Sequence, residues 1–312
     1  MFQSLPNVMT ADEMIDKAFK KASKVTVPRK RKRKLAKKEK EMQKIKKASQ
    51  ILKDNLSYII DSYPNIDEVP IFYLELLDAL VDKNKLKKSL GALNWAKKTI
   101  ESIERQSIRE IRDKDPSTVK RSAFGRYSSV MRRISEEIDF LIESTRKLRK
   151  IPQIDLTIPT VVVAGPPNVG KSTLIRSIST ARPEIKTYPF TTKGIMVGLI
   201  KKDGERIQII DTPGLLDRSM EKRNKIEIQA IIALKHLADL IVFMIDPTET
   251  CGYTLEEQLN LLEEITSKFD LKILKIANKC DIFDEKINGF LPISARDGTN
   301  IEYLVKKILQ SI

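Results

Sequence analysis

The sequence predicts two domains of different class: an all-α helical bundle followed by an α/β domain with a mixed, mainly parallel sheet flanked by helices. The first half contains only two glycines, Gly91 and Gly125, and its apolar residues recur at helical spacing. After "KIPQIDLTIPT", in which two prolines disfavour helix, short β-rich runs alternate with helical segments. We therefore divide the chain into a domain of residues 1–153 and a domain of residues 154–312.

The helices of the first domain are predicted one by one from their boundary signals. Thr10 opens a capping-box pattern that starts the first helix, and an apolar-periodic stretch follows a basic run and continues to about Ser62. The segment "YPNIDEVP" is turn-like, and the next segment, "IFYLELLDALV", predicts a buried helix. Residues 82–112 and 117–149 predict two long helices, with Pro116 at the first turn of the second.

The second domain is predicted from six β-rich runs, which are TVVVAG, IMVGLIKK, RIQIID, LIVFMID, LKILKIAN and GFLPIS. No apolar run reaches the roughly 18 residues of a membrane span, and the first residues lack the pattern of a secretory signal. Cys251 and Cys280 lie far apart without metal-type spacing, which fits a reducing cytosol. We therefore expect a cytoplasmic protein.

The positive charge of the chain is confined to its first half. Residues 1–150 carry 36 Lys and Arg against 21 Asp and Glu, whereas residues 151–312 carry 21 of each. This asymmetry predicts a half that binds a polyanion, joined to a neutral catalytic or regulatory half.

The densest basic run is "PRKRKRKLAKKEKEMQKIKK", and a second basic set surrounds "SAFGRYSS". The run is compatible with a solvated helix face, a nuclear address, a membrane-surface patch or a nucleic-acid contact, and its one-signed charge favours nucleic acid. Because no stacking aromatic series, zinc finger or RNP-type motif is present, we expect binding to the shape and phosphates of folded RNA. The predicted RNA-binding residues are Arg29, Lys30, Arg31, Lys32, Arg33, Lys34, Lys37, Lys38, Lys120, Arg121, Arg126, Arg132 and Arg133.

The segment "GPPNVGKST" fits the phosphate-binding pattern G-x-x-x-x-G-K-S and lies between a β-rich run and a helical one. Backbone N–H groups of such a loop and the N-terminus of the next helix attract phosphate, and Lys171 is expected to reach the β- and γ-phosphates. The hydroxyl of Ser172 is expected to bind Mg²⁺. The predicted nucleotide-binding residues of this loop are Gly165, Pro166, Pro167, Asn168, Val169, Gly170, Lys171, Ser172 and Thr173.

Three later segments, each at the end of a β-rich run, favour GTP over ATP. "DTPG" supplies Asp211, which can hold Mg²⁺ through water, and a glycine N–H that can sense the γ-phosphate. "NKCD" supplies Asp281, whose carboxylate can accept hydrogen bonds from N1–H and the exocyclic amine of guanine, a donor pair that adenine lacks. In "ISAR", the N–H of Ala295 would complete the guanine contact. The predicted nucleotide-binding residues here are Asp211, Thr212, Pro213, Gly214, Asn278, Lys279, Asp281, Ser294, Ala295 and Arg296.

In this order, the motifs resemble those of translation-factor-class GTPases. With "YPFTTKG", "DTPGLLDR", "RNKIEIQAIIALKHL" and "DPTETCGYTLEEQ", the chain resembles the nucleolar GTP-binding protein (Nog) family of the Obg group, and "YPNIDEVPIFYLELLDAL" and "VKRSAFGRY" extend the resemblance to the first half. The resemblance implies a Ras-like P-loop G domain behind a helical domain, and GTP-dependent assembly of the large ribosomal subunit with the helical domain against rRNA. Eukaryotic members continue further, so the chain looks like a short archaeal-type member.

The resemblance also suggests roles for individual residues. Thr191 and Thr192 of "YPFTTKG" both qualify to close on Mg²⁺, and Thr192 is favoured because Obg-type GTPases resemble this stretch with the second position polar and fixed. Leu215 stands where a Ras-type enzyme has a water-orienting glutamine, so slow intrinsic turnover is expected. Asn168 stands where K⁺-activated GTPases carry an asparagine, so it either binds K⁺ or only braces the loop. The candidate catalytic residues are Lys171, Thr192, Gly214 and Asn168, and the candidate Mg²⁺ ligands are Ser172, Thr192 and Asp211.

The expected activity is hydrolysis of GTP to GDP and phosphate by a cytosolic factor that binds large-subunit rRNA in a pre-ribosomal particle, beside ribosomal proteins. Two other interpretations stay open. The first is an RNA-docking placeholder whose GTP site is structural and turns over negligibly. The second is a translation-associated GTPase that binds mature ribosomes or tRNA.

Overall fold

The computed structural model describes residues 1–27, 33–186, 188, 194–202, 204–211, 213–214, 216–217, 225–283 and 285–312. It divides into two compact units. The first unit comprises Met1–Val69 and Val81–Arg149, and the second comprises Pro70–Leu80 and Lys150–Ile312. The predicted succession of a helical domain and a mainly parallel α/β domain is confirmed.

The first unit is built from helices. Its elements are a 3₁₀ turn at Phe2–Ser4, α1 (Ala11–Ser23), α2 (Arg33–Ser62), α4 (Lys83–Glu110), α5 (Pro116–Arg133) and α6 (Ser135–Leu148). The capping box at Thr10 is present, and Pro116 occupies the first turn of α5 behind the side-chain cap of Asp115. The prediction of one helix over 117–149 is wrong, because the backbone turns at Ile134 and separates α5 from α6.

Long α2 holds the first unit together, since α1, α4 and α5 all pack against it. Its apolar stripe includes Ile45, Leu52 and Leu56, which are fully buried, as repeated apolar positions three to four residues apart require. The Tyr63 hydroxyl lies 2.8 Å from the Thr145 hydroxyl, so the end of α2 is also tied to α6 by a buried polar contact.

The second unit contains a seven-stranded sheet with the order β2-β3-β4-β1-β5-β6-β7. Its strands are β1 (Thr160–Ala164), β2 (Glu184–Lys186), β3 (Ile195–Lys202), β4 (Glu205–Asp211), β5 (Leu240–Ile245), β6 (Ile273–Ala277) and β7 (Leu291–Pro292). The pairs β2–β3 and β3–β4 are antiparallel, and all other pairs are parallel. All six predicted strands are present, while β2, a short polar strand, was not predicted.

Four helices follow strands of this sheet: α7 (Lys171–Ile178), α8 (Lys225–Lys235), α9 (Leu255–Lys268) and α10 (Ile301–Leu309). The connection after β1 leads to β2, on one side of β1, whereas the connection after β4 crosses to β5 on the other side, so the order of the strands reverses next to β1. Ligands of open α/β sheets bind at the carboxyl ends of strands at such a point. The fold therefore predicts a ligand site at the loop after β1.

Helix α3 (Ile71–Leu80) belongs to the second unit, although its sequence lies inside the helical half. It packs against α8, and the Tyr73 hydroxyl exchanges hydrogen bonds with both backbone groups of Ile154, at 2.9 and 3.0 Å. Its burial was predicted correctly, but apolarity alone does not say which partner a helix covers. Within the described residues, no helix is both long and apolar enough to cross a membrane.

Candidate functional site

The loop after β1 has the backbone geometry of a phosphate cradle. Gly165 and Gly170 adopt φ values of 137° and 111°, which L side chains rarely adopt. A Cβ on Gly165 would overlap the backbone oxygen of Met244, and one on Gly170 would overlap the amide of Asn278. Both glycines are therefore required by space as well as by conformation, and α7 begins directly behind the loop.

Lys171, the first residue of α7, is buried in this loop. Its ammonium donates to the carbonyl oxygens of Gly165 and Pro166, at 2.8 and 2.7 Å, so it lies against the cradle. Burial lowers the pKa of Lys171, and the carboxylates of Asp211 and Asp217 act in the opposite direction. A lysine held here is placed to meet phosphate oxygens.

Two predicted Mg²⁺ ligands meet at the mouth of the loop. The Ser172 hydroxyl donates to a carboxylate oxygen of Asp211, which ends β4, at 2.5 Å. A hydroxyl and a carboxylate are hard oxygen donors of the kind Mg²⁺ prefers, usually completed by water and substrate phosphates. No cluster of three His, Cys, Asp or Glu side chains able to hold a metal occurs in the described part of the chain.

These groups line a cavity of about 560 Å³. Its walls are Pro167, Asn168, Gly170, Lys171, Ser172, Thr173, Asp211, Pro213, Gly214 and Asp217. Asn168 is exposed there in a left-handed conformation, with φ 63°. The N–H of Gly214, predicted to sense the γ-phosphate, donates to the carboxylate of Asp217 at 2.7 Å. Asp217 was missed by the sequence analysis, because a carboxylate three residues after "DTPG" carries no local signal.

Asn278 joins three loops at the base-binding end. Its amide donates to the Val169 carbonyl in the phosphate loop at 2.8 Å, and its oxygen accepts from the Ala295 N–H at 2.9 Å. All three residues are buried. The predicted partners of guanine are therefore connected to the phosphate loop through one side chain.

Lys279 is held by an anchor that the sequence analysis missed. Its ammonium lies 2.5 Å from a carboxylate oxygen of Asp246, which follows β5, and 2.5 Å from the Thr250 hydroxyl. Asp246 is fully buried and also accepts from the N–H groups of Thr248 and Cys251. The segment "DPTETCGY" thus forms a loop that fixes the side chain of a predicted base-binding residue.

The remaining predicted base-site residues surround this arrangement. Ser294 is buried and contacts Asp297, whereas Asp281 and Arg296 are exposed at the ends of their loops. An exposed carboxylate at Asp281 is accessible to a base. Thus the structure brings the phosphate loop, Asp211, Gly214, Asn278 and Ala295 to one edge of the sheet.

Several predicted site residues lie outside the described part of the chain, namely Arg29, Lys30, Arg31, Lys32, Thr192, Thr212 and Leu215. The side chains of Arg33 and Lys34 are likewise not described.

Three predicted RNA-binding lysines make contacts within the first unit. Lys37 lies 3.3 Å from Asp115, and Lys38 donates to a carbonyl beyond the end of α4 at 2.7 Å. The ammonium of Lys120 lies 3.5 Å from Glu41, a buried residue. Burial alone raises the pKa of Glu41, but its contacts with Lys44 and Lys120 bring it below the usual value. Lys120 therefore contributes to the fold through a buried carboxylate, whereas the exposed pair of Lys37 and Asp115 contributes little to stability.

Ten other basic residues are exposed on α4 and α5, which pack together. The exposed residues of these two helices are of four types: basic residues, uncharged polar residues, glycine and tryptophan. None of them is acidic. We call the exposed residues of α4 and α5 the acid-free surface. Its basic members are Lys85, Lys87, Lys88, Lys98, Arg105, Arg109, Arg121, Arg126, Arg132 and Arg133. Arg105, Arg132 and Lys87 have acidic neighbours at less exposed positions or on other elements. The basic residues of α4 were missed because they are scattered along the helix among other residue types and form no long basic run.

Comparison with known proteins identifies the family. A model of the NOG1 N-terminal helical domain matches residues 2–155, and one of nucleolar GTP-binding protein 1 (NOG1) matches residues 225–281. An uncharacterized protein of Methanocaldococcus jannaschii is 41% identical over 292 residues, 91% of this chain and 82% of that protein.

Nucleolar GTP-binding protein 1 of Drosophila melanogaster is 39% identical over 244 residues, which are 77% of this chain and 37% of that protein. This chain therefore spans well under half of the fly relative. A solved nucleolar GTP-binding protein 1 of Plasmodium falciparum is 32% identical, with a TM-score of 0.47 over 52% of this chain and 89% of that one. The phosphate loop and its base-binding partners, the two family models and the sequence identity to these relatives place the chain in the nucleolar GTP-binding protein (Nog) family of P-loop GTPases.

Proposed function

We propose that this protein hydrolyses GTP while acting as an assembly factor for the large ribosomal subunit, with its helical unit bound to large-subunit rRNA in a pre-ribosomal particle. The acid-free surface carries the RNA part of this proposal. Ten cationic side chains are exposed on two adjoining helices, whereas the acidic residues of these helices are less exposed. The word nucleolar in the names of the relatives points to the same process.

Phosphate neutralisation predicts the type of binding. Each phosphate neutralised contributes about −0.9 to the slope of log affinity against log salt on duplex, and about −0.7 on single strands. Binding through the acid-free surface should therefore weaken steeply with salt. Ribosomal proteins next to the rRNA are the expected neighbours in the particle, and the free thiols Cys251 and Cys280 support a cytoplasmic location.

GTP hydrolysis is proposed to depend on residues of the second unit. Lys171 neutralises charge on the β- and γ-phosphates, the N–H of Gly214 binds the γ-phosphate, and Asp281 selects guanine. Mg²⁺, held by Ser172, Thr192 and Asp211, supplies further positive charge at the phosphates. Because Leu215 cannot orient water, intrinsic turnover should be slow.

Cosedimentation on gradients tests the assembly role. The full chain is mixed with ribosomal particles of its own source, with a non-hydrolysable GTP analogue and separately with GDP. Enrichment on large-subunit precursors in one nucleotide state supports the proposal and identifies the binding-competent state. Binding only to mature ribosomes, or to no particle, contradicts it.

A charge-reversal variant links that binding to the acid-free surface. Lys88→Glu, Arg109→Glu and Arg121→Glu should together abolish enrichment. The matched control, Lys272→Glu, Lys275→Glu and Lys306→Glu, makes the same change of charge at exposed positions of the second unit. If both variants lose enrichment equally, the binding depends on net charge and not on the acid-free surface.

The role of Asn168 is tested by exchanging monovalent cations. We propose that Asn168 helps to hold K⁺ next to the phosphates, where the cation offsets charge that develops during hydrolysis. Turnover should then be faster in K⁺ than in Na⁺ at equal ionic strength, and Asn168→Ala should remove the difference. Equal turnover in the two salts would show that Asn168 only braces the loop.

A further inference from the structure

Trp95 is an aromatic residue in an unusual position on α4. It is the only tryptophan of the chain, and 41% of its surface is exposed. The guanidinium carbon of Arg133, from α5, lies 5.0 Å from the centre of its ring. This distance is within the range of a cation–π contact, so the two helices present an indole and a guanidinium together.

The other cation–ring contacts of the first unit differ from this one. Lys85 lies over Phe140 and Lys120 over Phe124, but both rings are only partly exposed, and Phe124 stacks on Phe19 at 4.3 Å. Those aromatic rings serve the packing of the helices. Trp95 instead has 41% of its surface exposed beneath a guanidinium, and exposed indoles of this kind are enriched where proteins contact ligands and partners.

The space around Trp95 is open and positively charged. Gly91 lies one helical turn before it, is exposed, and would find no atom within 4 Å of an added Cβ. A mid-helix glycine is destabilising relative to alanine, and nothing within 4 Å of an added Cβ requires it here. Lys88 and Lys98, on the same side of α4, are exposed as well.

This combination selects among possible ligands. Aromatic rings and guanidinium planes are the groups on which proteins stack unpaired RNA bases, whereas a duplex hides the faces of its bases. The surrounding cations complement the phosphates on either side of such a base. We propose that Trp95 and Arg133 form a stacking site for an unpaired RNA base, next to phosphates bound by the acid-free surface. This inference rests on the proposed RNA-binding function and adds the kind of RNA element that is recognised.

The fluorescence of the single tryptophan tests the inference directly. The full chain is titrated with a hairpin RNA that has a loop of unpaired adenines, and with a fully paired duplex of equal phosphate number. A fluorescent label on each RNA reports binding independently by anisotropy. Saturable quenching of Trp95 by the hairpin, with none by the bound duplex, is the expected result, because only an unpaired base can stack on the indole.

Variants provide a second measurement. Trp95→Leu keeps an apolar side chain and should weaken hairpin binding by about 5- to 150-fold, the effect of losing one stacked base, with duplex binding changed less than about twofold. Arg133→Lys keeps the charge but removes the planar group, so it should also reduce the preference for the hairpin. Arg121→Lys is the matched control and should leave that preference unchanged.

The possible outcomes separate this inference from the proposed function. If both RNAs bind but neither quenches Trp95, or if Trp95→Leu keeps the preference for the hairpin, the stacking site is refuted and RNA binding stands. If no RNA binds, both proposals fail. If an acidic peptide quenches Trp95 and RNA does not, the surface serves a protein partner and the inference is wrong.

Discussion

Replacement of Asn278 by alanine tests whether one side chain holds the nucleotide site together. The change removes the donor to the Val169 carbonyl and the acceptor of the Ala295 N–H, bonds of 2.8 and 2.9 Å. Both backbone groups belong to buried residues, with 0% and 4% exposure. Each would be left without its partner in a region with little access to water.

The expected loss follows from those two groups. A buried backbone group without a hydrogen bond costs about 1–3 kcal/mol, so the two together cost about 2–6 kcal/mol. Domains of this kind have total stabilities of about 5–15 kcal/mol, so the loss would be a large fraction of the stability of the second unit. GDP affinity should also fall, by about tenfold for every 1.4 kcal/mol needed to bring the loops back together.

Hydrogen exchange measures the first effect where it arises. The opening free energies of amides in β1 and α7 should decrease, while amides of α2 in the first unit should change little. Binding of a fluorescent GDP analogue measures the second effect. Asn94→Ala, an exposed asparagine of α4, is the control and should alter stability by less than about 0.5 kcal/mol.

If the amides of β1 have the same opening free energy in Asn278→Ala as in the wild type, the proposed role of Asn278 is refuted. It also fails if stability falls but GDP affinity is unchanged, since the connection between the loops would then have no part in binding.

Three other substitutions have expected effects of different sign. Gly91→Ala should stabilise the chain by about 0.5–1 kcal/mol in denaturant unfolding, because alanine fits the open helical position, and a loss of stability would contradict this. Gly165→Ala should abolish binding of GDP, as measured by titration, because its Cβ would overlap the backbone of Met244. Burial raises the pKa of Asp246, but Lys279 and Thr248 hold it below the usual 3.8. Its stabilising effect is therefore present at neutral pH and is lost as the pH falls below 3.8, through the lower pKa of the folded state. Asp246→Asn should therefore be less stable at pH 7 and lose less stability than the wild type between pH 4 and pH 3; parallel acid unfolding curves would contradict this.

The phosphate loop could be predicted from sequence because its signals are local. Gly165 and Gly170 need unusual φ values, Lys171 starts a helix, and a β-rich run stands in front of them. Each requirement acts within a few residues. For the same reason the capping box at Thr10 and the strands were predicted correctly.

Contacts between distant segments could not be predicted in this way. Lys279 meets Asp246, 33 positions earlier, only because β5 and β6 are neighbours in the sheet. The break at Ile134 is marked by neither glycine nor proline, and the hydrophobic spacing on its two sides still resembles one helix. Helix α3 shows the same difficulty, since its apolar faces predict burial but not the unit against which it is buried.

Five buried polar residues of the second unit lie at its nucleotide site. Lys171, Asp211, Asp246, Gln258 and Asn278 are all buried, and all lie beside the carboxyl ends of the central strands. Burying charges and amides costs free energy unless each finds a partner, and apolar side chains would stabilise a sheet edge at lower cost. Their position beside the phosphate loop favours a role in ligand binding over a role in stability alone. It follows that a nucleotide which pairs with these groups stabilises the second unit by mass action, and that substitutions at this edge will change stability and affinity together.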